Sequence, residues 1–333
     1  MKDFVLSPIR RLALAATLAP ALLSSAPAFA LDCSRATTAS EQAICADGAA
    51  RDADMALGKV FETARSAMPA NERTALVAAE RRWIERRDAN CATATGSALS
   101  ACLRDETNAR IAYLTGAPMA GAGSPHALVP FLRQQQGGKG RADINIQLLR
   151  FAAPATAGEK AFNAEITRLA RTHEPEKDDP QADHFTFEWS MTLPYASSRL
   201  ISAHASGALY TGGAHPNQFT ANFNLDVRRQ HLLTFNDLVA APAAKTIVAL
   251  CMEQVSEQKR ERSVNEHWSD VPQASIDTIA EATNDLKAWS FGKDTATIDY
   301  DPYAVGSYAE GTYTCKIPYT TLRPLAKPDF PLP

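Results

Sequence analysis

Beyond residue 30 the chain has no apolar run long enough to cross a bilayer, no excess of positive charge and no signature of a familiar catalytic machinery. Each absence removes a class of function. Lys and Arg number 34 against 37 Asp and Glu, so there is no basic stripe for a nucleic acid or another polyanion. Neither G-x-S-x-G, H-E-x-x-H, a P-loop nor a Rossmann fingerprint occurs, and the sequence calls for no cofactor. No C-x-x-C pair and no histidine beside a cysteine supplies zinc spacing, so no metal is expected. Glycine and proline are scarce between residues 31 and 115, which argues for helices there.

What is present starts with an export signal. Lys2, Arg10 and Arg11 precede an apolar stretch from Leu12 to Leu23, and Ala28-Phe29-Ala30 follows. That order predicts a secretory signal peptide over residues 1–30, cleaved after Ala30, and a periplasmic protein. Setting aside Lys2, Arg10, Arg11 and Asp3 turns 34 basic and 37 acidic side chains into 31 and 36, a net charge near −5. Such mild acidity suits a basic protein partner better than a polyanion.

Six cysteines lie beyond the signal, Cys33, Cys45, Cys91 and Cys102 early, Cys251 and Cys315 late. Even numbers in an exported chain predict disulfides. The first four allow three pairings, whereas Cys251 and Cys315 have one internal way to close. The stretch 116–125 is rich in Gly, Pro and Ala and reads as a linker, dividing a helical domain, 31–115, from a second domain, 126–333.

In the first domain a short helix over Ser40 to Cys45 precedes one with Leu57, Val60, Phe61, Ala64 and Met68 on one face. Asn71 is expected to cap a third helix carrying Leu76, Trp83 and Ile84, and a fourth carries Leu99, Leu103, Ile111 and Leu114. The charge run from Glu80 to Asp88 reads mainly as a solvated helix face supported by Arg81 with Glu85, and Trp83 as core. The succession Asp32-Cys33, Ser40-x-x-Ala43-Ile44-Cys45, Glu80-x-x-Trp83-x-x-x-Arg87-Asp88, Cys91 and Ala101-Cys102-Leu103 resembles the LprI-type lysozyme-inhibitor domain. The resemblance implies a small exported helical module, some of whose members inhibit lysozyme.

The second domain alternates. Ile144, Ile146 and Leu148 interleave with Asn145 and Gln147 as a first strand, and a helix follows over Gly158 to Thr172. Phe185, Phe187, Trp189, Met191 and Leu193 give the strongest strand signal, one face buried and one wet. Leu200 to Leu209, Phe219 to Leu225 and Leu232 to Phe235 continue an antiparallel meander, two helices carry Ile247, Cys251, Val255 and Ile279, and strands return at Thr295 to Asp299 and Tyr313 to Pro318. The fold class is α+β: a small disulfide-bonded helical domain, then an antiparallel sheet with helices packed on one side. Tyr210-x-Gly212-Gly213-Ala214-His215-Pro216-Asn217, with Asp301-Pro302-Tyr303 and Tyr308-Ala309-x-Gly311 later, resembles the extracytoplasmic domain shared by RsiV-type anti-sigma factors and some exported deacetylases. In the anti-sigma factors that domain binds lysozyme.

Chemistry is thinner than architecture. His215 with Asp226 or Asp237 is the nearest approach to a catalytic or metal set, but a histidine in a Gly-Gly turn is more simply a backbone-bonding one. Ser256-x-x-Lys259 matches S-x-x-K without its companion motifs and reads as helix surface. Asp178 and Asp179 lie in an acidic loop, 174–183, where water levels carboxylate pKa values. The sequence therefore supports a lysozyme-binding or lysozyme-inhibiting protein rather than an enzyme. Its candidate binding residues are Tyr210, Gly212, Gly213, His215, Asn217, Tyr303, Tyr308, Asp178 and Asp179. The alternatives are a module for peptidoglycan or another cell-wall glycan, stacking sugars on Tyr303, Tyr308 and Trp189, and a cell-wall-active enzyme.

Overall fold

The computed structural model describes residues 31–172, 184–262 and 273–333. The expected signal peptide and acidic loop, with Asp178 and Asp179, therefore lie outside the described residues.

Four helices come first: α1 (Ala39–Ala46), α2 (Gly48–Ala67), α3 (Ala70–Cys91) and α4 (Gly96–Thr115). Thr38 and Glu41 form a reciprocal capping box on α1, and Asp47 accepts from the Ala50 amide to start α2. Contrary to the sequence expectation, Asn71 does not cap α3; Pro69 occupies that position with no side-chain cap, and Asn71 is already inside the first turn. Of the three possible early pairings the chain makes Cys33–Cys45 and Cys91–Cys102, and Cys251–Cys315 closes as expected.

A six-stranded sheet follows: β1 (Leu128–Gln135), β2 (Asp143–Phe151), β3 (Thr186–Ala196), β4 (Leu200–Tyr210), β5 (Asn217–Asp226) and β6 (His231–Leu232), in that spatial order. Sequence reasoning missed β1, because Pro130 interrupts it and no alternation marks it; a sheet edge tolerates the missing amide. The sheet is antiparallel except between β2 and β3, which run parallel because α5 (Ala157–Leu169) carries the chain back across. Thr156 and Glu159 box the start of α5, and Phe162, Ile166 and Leu169 are buried from it.

The register separates the two sheet faces cleanly. Ile144, Ile146, Phe187, Ala205, Phe223 and Leu225 share the apolar face, where Phe162 of α5 meets Phe223 edge-on at 5.8 Å. Asp143, Asn145, Gln147, Glu188, Ser190, Ser206, Thr220, Asn222 and Asn224 share the other, an unusually polar one. That polar face is not simply wet, as alternation predicts; Asn145, Gln147, Asn222 and Asn224 are buried. Two different parts of the chain dock on it.

The first is the helical region. Arg110 of α4 donates to Glu80 of α3 at 2.9 Å and to Gln147 of β2 at 2.6 Å, and Arg82 pairs with Asp143. The run from Glu80 to Asp88 is thus only partly a solvated face. Glu80, Trp83 and Arg87 are buried because α3 is covered on two sides, and Arg81 and Glu85 are exposed without pairing to each other. The stretch 116–125 is ordered against β3: the Met119 amide donates to the Leu193 carbonyl at 2.7 Å, and Gly123 and Ala120 bond the backbone of Ala196. A Cβ on Gly121 would lie 2.1 Å from the Ala196 carbonyl oxygen, so glycine permits this approach.

The second is the C-terminal part: α6 (Phe235–Leu238), α7 (Ala241–Arg262), α8 (Gln273–Thr283), strands β7 (Trp289–Phe291), β8 (Thr295–Tyr300) and β9 (Tyr313–Pro318), and α9 (Tyr319–Leu322). Its three strands form a separate antiparallel sheet around a second core with Ile247, Cys251, Trp289, Ile298 and Cys315. Asn224 donates to the carbonyls of Leu286 and Trp289, and Ser202 accepts from the Phe291 amide. Phe235 begins α6 rather than extending β6, because Thr234 and Asp237 box a helical turn there.

Candidate functional site

The tip of the β4–β5 hairpin is shaped by backbone demand. Gly212 and Gly213 take φ of 91° and 114°, a region that side-chain-bearing residues avoid. Tyr210 donates its hydroxyl to the Gly213 carbonyl at 3.0 Å, closing the turn. His215 then projects from it with Nδ1 3.1 Å from the Pro216 carbonyl, an acceptor only, so Nδ1 is the donor there. Its Nε2 meets the Tyr303 hydroxyl at 3.1 Å.

Tyr303 and Tyr308 arrive on the loop between β8 and β9. The Tyr308 ring lies flat on His215, with centroids 3.5 Å apart and planes within 9°. Tyr303 leans against both, is 61% exposed and holds φ at 71°, strained for a tyrosine. The structure thus brings together Tyr210, Gly212, Gly213, His215, Tyr303 and Tyr308, and Asn217 opens β5 beside them as an exposed residue.

The loop is fastened at both ends. Asp301 accepts from the amide and hydroxyl of Thr220 at 3.1 and 3.0 Å; burial raises its pKa, and those bonds work against the rise. At the far end Glu310 accepts from the Ser307 amide at 2.7 Å, the Tyr313 hydroxyl at 2.7 Å and Lys259 Nζ at 3.1 Å. Burial opposes its ionisation, but these donors outweigh it and hold the carboxyl at about 2. Gly306 leaves room for that carboxylate, since a Cβ there would lie 2.4 Å from Glu310 Oε2.

The other candidates go elsewhere. Asp226 accepts from the amides of Arg228 and Arg229, capping a turn, and Asp237 closes the box with Thr234, so neither is placed as a partner of His215. Lys259 is not on the helix surface as expected; it is buried and reaches Glu310, because α7 lies across β9. Trp189 is 3% exposed, in the apolar sheet face beside Phe219, so it offers no platform for a sugar. Among the described residues no group of His, Cys, Asp and Glu is placed to hold a metal. Sequence reasoning missed the anchoring roles of Glu310, Lys259 and Thr220, whose only signal was proximity to the Asp301-to-Gly311 motif.

Residues 33–114 match the family described as Lysozyme inhibitor LprI. The chain carries an LprI domain at its amino-terminal side. Residues 236–320 match a second family, described as Protein of unknown function (DUF3298), and this match takes in Tyr303 and Tyr308 but not His215. Two solved structures resemble part of the chain. One, a DUF3298 family protein from Pseudomonas aeruginosa PAO1, is 18% identical, with 63% of this chain and 98% of that one covered and a TM-score of 0.41. The other, a DUF3298 family member from Bacteroides fragilis NCTC 9343, is 15% identical, with 61% and 94% covered and a TM-score of 0.43. No curated protein matches the chain. Both early disulfides fall within or at the edge of the LprI match, consistent with an oxidising, extracytoplasmic setting, and no described helix is long and apolar enough to cross a membrane.

Proposed function

We propose that this is an exported, periplasmic protein that binds lysozyme and inhibits it. The observation that carries the reading is the LprI match over residues 33–114, a family described as a lysozyme inhibitor, with its four cysteines closed in two disulfides. The carboxyl-terminal half, in this reading, is an RsiV-type lysozyme-binding domain, and its contact point is the tip formed by His215, Tyr303 and Tyr308. Tyrosine held in a stacked, partly exposed cluster gives large contact area at small entropic cost, which is the character of binding hot spots. The glycine turn below and the Asp301 and Glu310 anchors on either side hold the rings before a partner arrives.

The experiment is a pull-down and turnover assay of the purified chain against several lysozyme types. Micromolar or tighter binding with loss of lysozyme turnover is expected for at least one type. Absence of micromolar binding to all of them retires the reading.

A further inference from the structure

A groove runs along the polar face of the six-stranded sheet, between α3 on one bank and the Asp301 loop on the other. It has two recesses of about 330 and 790 Å³, and Arg86 and Glu188 line both, so these two side chains stand where the recesses adjoin. Each is only partly exposed. Among the described residues neither makes a hydrogen bond or ion pair, although each faces the same cavity. Their neighbours behave otherwise: Arg82 pairs with Asp143, Arg87 with Asp88 and Arg110 with Glu80. Half-buried charges normally find a partner, because the penalty of partial desolvation is otherwise unrelieved. Here two opposite charges line the same recesses without meeting.

The floor between them is rich in hydrogen-bonding groups. Ser190, Ser206 and Thr220 belong to the polar face by register, and Asp301 stands at the end of the smaller recess on the Glu188 side of the charge balance. A cavity of this size with a few convergent polar groups is of the kind that holds small ligands. Charge decides which. A phosphate or other anion would meet Arg86 but also Glu188 and Asp301; a simple cation would meet the carboxylates but also Arg86; a neutral sugar would leave both charges unpaired. A molecule carrying one carboxylate and one ammonium satisfies Arg86 and Glu188 together; Asp301 already accepts from Thr220, Arg82 is paired with Asp143, and Arg81 and Glu85 in the larger recess are exposed.

We propose that this groove is a binding site for a zwitterionic amino compound, an α-amino acid or the free ends of a very short peptide, with its carboxylate on Arg86 and its ammonium on Glu188. Arg86 offers the planar fork that suits a carboxylate, and Glu188 accepts from an ammonium. Because Arg86 comes from the LprI domain and Glu188 from the sheet, the site exists only where the two are joined. The groove shares Asp301 and Thr220 with the anchor of the aromatic loop, but neither Arg86 nor Glu188 belongs to the aromatic tip or to the lysozyme reading.

The test is isothermal titration of the full chain with alanine and with alanyl-alanine of either hand, beside N-acetyl-alanyl-alanine, alanyl-alanine amide and inorganic phosphate. Saturable binding of a free zwitterion is expected, weakened about tenfold or more when either end is blocked. In Arg86→Gln the acid and the amide should bind alike, and in Glu188→Gln the free and acetylated amines should bind alike. Neither side chain has a partner to lose, so both variants should melt with the unmodified chain; if one does not, the blocked ligands on the unmodified chain decide alone. No saturable binding of any free zwitterion at millimolar concentration, equal binding of blocked and free forms, or tighter binding of phosphate would each overturn the proposal, and none of them bears on the lysozyme assay.

Discussion

The side chain of Gln258 pairs with the backbone of Thr314 as a neighbouring strand would: its amide nitrogen donates to the Thr314 carbonyl at 2.6 Å and its oxygen accepts from the Thr314 amide at 3.2 Å. One turn earlier Gln254 does the same for Lys316, at 2.9 Å in both directions. One turn later Arg262 donates to the carbonyls of Glu310 and Thr312. A single stripe of α7 thereby covers the outer edge of β9, which would otherwise present unpaired amides and carbonyls to any passing strand.

Replacing Gln254 and Gln258 together by Ala reopens that edge. Four hydrogen bonds go, at about 1 kcal/mol each as an upper figure for the more exposed pair. Urea denaturation should show the lost stability, and light scattering should show concentration-dependent self-association absent from the unmodified chain.

The longest-range disulfide and the amino-terminal one should rank by the loop each closes. Cys251–Cys315 spans 64 residues and Cys33–Cys45 spans 12, so removing the former by paired Ala substitution costs about 4 kcal/mol against about 3 for the latter. Thermal unfolding of the two double variants tests the order; the opposite ranking would contradict the loop-entropy account.

Arg110 joins three layers, held by Glu80 and Gln147 and flanked by the rings of Trp83 and Tyr113 at 5.6 and 5.0 Å. Arg110→Ala strands the buried Glu80 and should cost about 3–5 kcal/mol. Arg110→Lys should rescue little, since one ammonium cannot copy a planar fork that reaches two acceptors. Protease susceptibility of residues 116–125 reports whether the helices have come off the sheet.

Glu310 gives a pH signature. Its folded value of about 2 lies below the ordinary 4.5, so its stabilisation is full above pH 4.5 and drains away as pH falls toward 2. Glu310→Gln should lower stability at neutral pH and flatten that acid limb. Melting temperatures across pH 2 to 6 measure it, and an unchanged acid limb would remove Glu310 from the account.

At the tip, Gly213→Val forces a branched residue into φ of 114° and should displace His215 from Tyr308, while a Cβ there meets nothing within 4 Å and leaves the core untouched. His215→Ala and Tyr303→Ala should weaken lysozyme binding with changes in stability within about 1 kcal/mol, since Tyr303 is exposed and His215 is half-buried outside both cores. The check is a titration paired with a denaturation curve for each variant.

Much of the architecture was legible because it follows local rules. The alternation around Trp189 and the heptad-like spacing of Leu57, Phe61 and Ala64 predicted the elements that formed, and the Gly-Gly turn predicted a hairpin tip. What escaped was whatever depends on a second layer. Asn145 and Gln147 read only as the polar members of an alternating strand, with nothing to show that Arg110 of α4 would reach Gln147; the Glu80 to Asp88 run read mainly as a solvated face for the same reason. Lys259 was hidden by its partner lying 51 residues away. The meeting of His215 with Tyr308 was foreshadowed only by both belonging to motifs of one resemblance, with no spacing rule to bring them into contact.

The stretch 116–125 has the composition of a flexible tether, yet the bonds from Met119, Ala120 and Gly123 to Leu193 and Ala196 lay it along β3 as a splint. Distance between the LprI helices and the aromatic tip is therefore fixed like marks on a ruler. A macromolecule that touches both must already have matching spacing, so selectivity between partners can come from dimension as well as from chemistry.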